Sequence, residues 1–301
     1  KTMNNIALLF GPARPPFLIL TPACVVLGVA TAYWDTGKVD WVHALLVLFG
    51  ALSAHISVNA FNEYFDYKSG LDAKTIRTPF SGGSGTLPAH PNLSGPTLIL
   101  SVSSLTIAGL IGIYFVWVQG WMLLPIGLLG LVLVVSYTKW WTRSPLLCLI
   151  APGLGFGLLM VMGSHYCLTG SYSWTALIAS LPPTFLVSDL LLLNQFPDVE
   201  PDKTVGRKHF PMTLGLRTAT RLYGALLVLA YVSIVTGFML GLLPAMSLVA
   251  VATAGIAYKA YRKALDNAED VAALGPALAM NVLVNISTPP LVALGLFLGP
   301  R

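Results

Sequence analysis

Two short polar segments carry most of the chemistry this sequence has to offer. The first runs from Asn59 through Asn62, Glu63, Asp66, Lys68 and Gly70 to Asp72; the second runs from Asn194 through Asp198 and Glu200 to Asp202 and Lys203. His55, Asn59, Asn62 and Asp66 are spaced i, i+4, i+7 and i+11, so a helix places all four on one stripe. Asp72 follows Gly70, where that helix can end. Asn194, Asp198 and Asp202 repeat every four residues, again one face if the helix continues. A carboxylate that merely meets water at a helix end accounts for one such segment, but poorly for a second that repeats the same Asn-x-x-x-Asp core. Paired carboxylates with amide oxygens suit a hard cation such as Mg²⁺, which tends to bridge a few carboxylates to substrate phosphates. The cations alongside (Lys68, Arg77, Lys203, Arg207 and Lys208) suit the remaining phosphate oxygens and disfavour a Ca²⁺ cage built from protein alone. The expected metal-side set is therefore Asn62, Asp66, Asp72, Asn194, Asp198 and Asp202.

The elements that position these residues are membrane spans. Of 301 residues, 55% are apolar and only 10% are charged, far below the roughly 25% charged residues of a soluble domain. Mean hydropathy is +0.76. A soluble enzyme, a nucleic-acid-binding module and a disordered regulator are excluded on composition. Nine apolar runs are long enough to be considered as spans. They lie near Phe17–Tyr33, Val42–Phe61, Thr97–Val118, Trp121–Tyr137, Leu146–Leu168, Trp174–Leu193, Leu222–Leu240, Ala245–Tyr258 and Pro276–Leu298, the eighth being short. With nine spans, every one of the 17 Lys and Arg residues except Lys38 and Arg301 falls on one side. The positive-inside rule makes that side cytoplasmic, together with the N-terminus and both acidic segments. Cys24, Cys148 and Cys167 lie in apolar stretches without metal-ligand spacing and read as small core residues. The expectation is an all-α, multi-pass integral membrane protein (in the inner membrane, if the cell is bacterial), with residues 1–301 as one domain.

At this point the sequence resembles the UbiA-type intramembrane prenyltransferases. The resemblance rests on Asn62-Glu-Tyr-Phe-Asp66-Tyr-Lys-Ser-Gly-Leu-Asp72 after span two and Asn194-Gln-Phe-Pro-Asp198-Val-Glu-Pro-Asp202-Lys203 after span six. It covers nearly the whole chain. It implies a nine-helix bundle and transfer of a prenyl group from a polyprenyl diphosphate, held by Mg²⁺, to a small aromatic acceptor. Asp66, Asp72, Asp198 and Asp202 become the catalytic carboxylates; Arg14, Asn62, Lys68, Arg77, Tyr137, Lys139, Asn194, Lys203 and Arg207 become substrate-binding residues. Three departures stand out. Glu63 occupies a position where many members have Asp, Gly70 stands where the third acid often lies, and Arg77-Thr-Pro79 carries an inserted Thr before Ser81-Gly-Gly-Ser-Gly85. The longer Asp66-to-Asp72 spacing is similar to the branch that prenylates 1,4-dihydroxy-2-naphthoate on the menaquinone route. A 4-hydroxybenzoate acceptor is the alternative.

Other residues have two readings each. Arg14 is an inside-positive anchor or part of the substrate site. Ser81–Gly85 is a flexible loop tip or a backbone nest for phosphate. His55 reads as a satisfied buried histidine ahead of an acceptor-side role. Asp189 is an intramembrane carboxylate, a functional hypothesis by default. Asn281 and Asn285 read as interhelical hydrogen-bond glue, Glu200 as solvated, and Gly153, Gly155 and Gly157 as a close helix approach. Phe61, Tyr64, Phe65 and Tyr67 are candidates to face an allylic cation. A transporter would place its ionisable groups near the membrane midplane in repeated halves. A CDP-alcohol phosphotransferase would show a dense Asp-x-x-Asp-Gly motif. Neither pattern is present.

Overall fold

The computed structural model describes residues 8–75 and 77–300. Lys1 and Arg301 lie outside the described residues. Every regular element among them is helical. Seven helices are long and apolar enough to cross a membrane: α1 (Pro15–Thr36), α2 (Trp41–Ser69), α3 (Pro91–Gln119), α5 (Pro145–Thr169), α6 (Trp174–Asn194), α7 (Leu216–Met239) and α9 (Val271–Leu298). Two further apolar runs complete the bundle. One is the shorter α4 (Trp121–Ser136). The other is a 3₁₀ stretch, Ala245–Thr253, that leads into α8 (Ala254–Asp266).

Local chemistry sets the ends. The Asp40 carboxylate accepts hydrogen bonds from the Val42 and His43 amides at 3.0 and 3.1 Å and caps α2. Gly70, at φ 75°, closes the same helix in the left-handed conformation that an L side chain resists. The carbonyls of Asp66 and Tyr67 are bonded by its amide, and Asp72 is thereby turned into a short 3₁₀ segment, Leu71–Ala73. The second acidic segment does not continue α6 as its four-residue repeat implies. That helix ends at Asn194, a turn carries buried Phe196 and then Pro197, and Val199–Lys203 forms a separate short helix with Asp198 at its N-cap. Pro197 lacks the amide that an unbroken helix needs, and its ring disfavours a helical conformation at Phe196.

α1, α6 and α9 form the centre. Leu20, Cys24, Leu27 and Ala30 pack with Ala179 and Val187 of α6 and with Val292, Ala293 and Leu296 of α9. α3 lies at the lipid-facing edge, with only 17% of its apolar window buried. In lipid, helices gain little from hydrophobicity and associate where backbones approach closely. At Gly153 and Gly157 a Cβ would come within 2.0 and 2.1 Å of Thr184 on α6, so only glycine permits this α5–α6 crossing. Gly155 instead faces open space. Pro152 precedes a π-helical turn, Leu154–Leu159, that widens α5 where Gly155, Phe156 and Leu159 line a cavity.

Candidate active site

The ends of α2 and α6 meet at the mouth of a cavity of about 660 Å³. His55, Asn59, Asn62 and Asp66 all line it, as the α2 stripe requires, and Asp72, Asn194, Asp198 and Asp202 join them. Its deeper walls are apolar, including Val47, Ile111, Phe115, Leu131, Val134 and Met160. One end is thus rich in oxygen and charge, and the remainder is suited to hydrocarbon.

Cations organise the polar end. The Arg207 guanidinium bridges the two motifs, pairing with Asp66 and, at 3.2 Å, with Asp202. His209 Nε2 stands 3.4 Å from the other Asp202 oxygen. The Arg207 amide donates to the Asp202 carbonyl at 3.2 Å, and Lys208 is tied to the Thr142 carbonyl at 2.8 Å. The loop after α6 is thereby folded back over the mouth. Arg14 enters from the other side: its guanidinium donates to Asn62 Oδ1 at 2.8 Å and to Glu63 Oε1 at 2.7 Å. Asn62 Nδ2 donates to Thr138 Oγ1 at 3.2 Å, so both ends of this amide are engaged.

Three oxygens are left over. Asp72 Oδ2, Asn194 Oδ1 and Asp198 Oδ1 are buried and have no hydrogen-bond donor among the described residues. Burial, then the adjacent Asp66 and Glu63 carboxylates, push the Asp72 carboxyl up to about 7 against the pull of Arg14 and Arg77. Burial and then Asp202 push Asp198 up to about 7, opposed by Arg207 and Arg14. Buried oxygens of this kind are costly unless a proton or cation satisfies them. The set is all oxygen, which fits Mg²⁺. Among the described residues no three acidic, His or Cys side chains are close enough to cage an ion by themselves.

The other expected site residues lie elsewhere. Lys203 is half exposed and pairs with Glu200 at 2.5 Å. Lys68 and Lys139 sit over the rings of Tyr64 and Phe65, at 5.6 and 4.4 Å from their centroids. Arg77 is exposed, with its guanidinium packed against Gly85, and Lys208 is also exposed. None of these five lines the cavity, whereas Arg14, Tyr137 and Arg207 do. The aromatic set differs as well. Phe17, Phe80, Phe115, Tyr137 and Phe156 line the cavity, while Phe61, Tyr64, Phe65 and Tyr67 do not. These four are interleaved with the Asn62/Asp66 stripe, about 100° apart per residue, and so point elsewhere. His55 is held by Thr21 Oγ1 at 2.8 Å from Nδ1 and packs edge-on against Phe156. Asp189 is fully buried beside Asn281 and Asn285; the Asn285 amide donates to the Asn281 carbonyl within α9, at 3.0 Å. His209 and Thr138 are not legible as site residues in the sequence, since no spacing links them to either motif, whereas Ser84 falls within the Ser81–Gly85 segment.

Known proteins resemble this chain over most of its length. A family model described as the UbiA prenyltransferase family matches residues 20–298. A 1,4-dihydroxy-2-naphthoate octaprenyltransferase of Bacillus subtilis is 32% identical over 229 residues, covering 74% of this chain and 70% of the relative. Among solved structures, an apo UbiA homolog from Aeropyrum pernix superposes with a TM-score of 0.69 at 15% identity, covering 94% of this chain and 97% of that one. A UbiA homolog from Archaeoglobus fulgidus bound to DMAPP and Mg²⁺ gives 0.62 at 16% identity, covering 95% and 98%.

Proposed function

Because the chain belongs to the UbiA prenyltransferase family, we propose that this membrane prenyltransferase moves a polyprenyl group from its diphosphate to an aromatic acceptor with the aid of Mg²⁺, and that the acceptor is 1,4-dihydroxy-2-naphthoate. The observation that carries the reading is one cavity with both acidic motifs, Arg14 and Arg207 at its mouth and apolar walls behind them. In this reading Asp66, Asp72, Asp198 and Asp202, with Asn194, hold Mg²⁺ on the diphosphate. When bound there, Mg²⁺ would supply positive charge against the negative charge that grows on the leaving diphosphate. Arg14 and Arg207 supply further positive charge at the same end. Tyr137 and Phe156 border the space where an allylic cation forms, and their ring faces favour it. The apolar interior excludes water, which would otherwise quench the cation to an alcohol. The electron-rich acceptor carbon then forms the C–C bond and loses either its proton or, from a carboxylate at that carbon, carbon dioxide, and the bonding pair returns to the ring.

The acceptor assignment is supported by the Asp66-to-Asp72 spacing and by the name of the Bacillus relative. We further read the bundle as crossing the membrane nine times, with α4 and the Ala245–Asp266 run as the two shorter crossings and the cavity mouth on the cytoplasmic side. A competition assay tests the acceptor: purified protein, geranylgeranyl diphosphate, Mg²⁺ and equal dihydroxynaphthoate and 4-hydroxybenzoate, read by mass spectrometry. Prenylated naphthoate is the expected product. Prenylated hydroxybenzoate alone overturns the acceptor and leaves the enzyme class intact.

A further inference from the structure

Glu63 is among the most enclosed carboxylates of the protein, its side chain 0% exposed, and it does not line the cavity. Its Oε1 accepts from Arg14 and, at 2.7 Å, from the Ser84 amide; its Oε2 accepts from the Ser84 hydroxyl at 2.8 Å. Ser84 Oγ in turn lies within bonding distance of the Thr86 amide and hydroxyl, at 3.1 and 2.9 Å. One side chain on α2 therefore fixes two separate pieces of chain: the segment before α1, through Arg14, and the glycine-rich loop ahead of the short helix Thr86–Ala89.

The fixed pieces carry groups that face the cavity mouth. Arg14 has φ 52°, the only non-glycine residue among those described with a positive φ. A left-handed conformation at a long side chain persists only where the surroundings impose it; the ion pair with Glu63 is such a constraint. In the loop, Gly82 and Gly83 have φ 85° and 75° and line the cavity beside Asp72 and Arg14. A Cβ on Gly83 would lie 3.0 Å from Glu63 Oε1, 3.5 Å from Asp72 Oδ1 and 3.6 Å from Arg14 Nη2. The Gly82 and Gly83 amides have no acceptor among the described residues, and unpaired backbone amides at a cavity wall are donors that an anion can use.

We propose that Glu63 is a positioning residue: by holding Arg14 and Ser84 together it sets the Gly82–Gly83 amides and the Arg14 guanidinium as one diphosphate-binding rim opposite Asp198 and Arg207. It touches no substrate itself. This rests on the prenyl-diphosphate reading above, but its first readout does not. The substitutions are Glu63→Gln, which keeps the shape and removes the charge, and the milder Ser84→Ala, which keeps the backbone bond. In detergent-purified protein, trypsin cleavage after the exposed Arg77 is followed by mass spectrometry, with and without magnesium pyrophosphate. Kinetics follow, with each substrate varied in turn against a saturating level of the other. The expected result is roughly tenfold faster cleavage in Glu63→Gln and a smaller increase in Ser84→Ala. Pyrophosphate protection weakens, and KM for the prenyl diphosphate rises about tenfold while KM for the acceptor holds. Unchanged cleavage and protection in both variants overturn the proposal. Faster cleavage in the variants of a protein that neither pyrophosphate nor prenyl diphosphate protects would instead uphold the latch and defeat the diphosphate reading.

Discussion

Asp66 and Asp202, 136 residues apart in the chain, share the guanidinium of Arg207. Each belongs to a different acidic motif, and the cation between them is what turns two helix ends into one site. Arg207 is brought there by its own backbone, whose amide bonds the Asp202 carbonyl. Its removal leaves two enclosed carboxylates facing each other. Deleting one partner of a buried ion pair costs about 3–5 kcal/mol. Arg207→Ala is therefore expected to lower the melting temperature of metal-free protein markedly, and Mg²⁺ with pyrophosphate to recover much of the loss by supplying the missing positive charge. Arg207→Lys, with one point charge in place of a fork, falls between. Melting curves of the three proteins, with and without ligand, decide it; equal stability without metal contradicts the bridge.

The carboxylates themselves are the next test. Asp66→Asn, Asp72→Asn, Asp198→Asn and Asp202→Asn each keep the volume and remove the charge that a cation needs. Each is expected to slow prenyl transfer by at least roughly 100-fold, or about 2.7 kcal/mol of transition-state stabilisation. Asn194→Ala should cost less, because a neutral oxygen contributes less charge. Asn62→Ala should act mainly through Arg14 and Thr138, to which its amide is bonded. Near-normal turnover in any two of the Asp variants sinks the assignment.

Stability should respond to pH in a direction the carboxyls dictate. Asp72 and Asp198 are pushed up to about 7, whereas unfolded carboxyls titrate near 3.9. The folded protein thus binds these protons more tightly. Their contribution to stability is complete below the unfolded value and is lost as pH rises through about 7. Metal-free protein should lose melting temperature between about pH 4 and pH 7, with Mg²⁺ and pyrophosphate restoring more at the higher pH, where no proton competes. The double variant Asp72→Asn/Asp198→Asn should flatten both trends. Identical slopes in wild type and double variant would be the contrary outcome.

Orientation is open to direct labelling. Ser69 is exposed at the end of α2, on the same face as the site. A Ser69→Cys variant in intact cells should resist an impermeant thiol reagent and react once the membrane is opened. Cys24, Cys148 and Cys167 are buried and give a low background. Reaction in intact cells would place the mouth outside.

The sequence by itself determined the class of solvent, most helix positions and the two motifs. Apolar runs about 20 residues long have few alternatives in lipid, and carboxylates repeating at helical spacing declare a shared face. It also pointed to the α2 stripe, since His55, Asn59, Asn62 and Asp66 follow from periodicity inside an unbroken helix. The four-residue spacing gives one face for Asn194, Asp198 and Asp202 only in an unbroken helix; Pro197 breaks it, and the three residues line the cavity from a helix end, a turn and a separate short helix. Only the tertiary structure decided which cations serve the site. Lys68 and Lys203 are as near to the motifs in sequence as Arg207, but long flexible side chains go wherever a ring, a carboxylate or water receives them. Arg207 and Arg14 are selected because enclosed carboxylates from distant segments, Asp66 with Asp202 and Glu63, have no water to turn to. Pairing of that kind depends on which helix ends meet in space, and no local pattern encodes it.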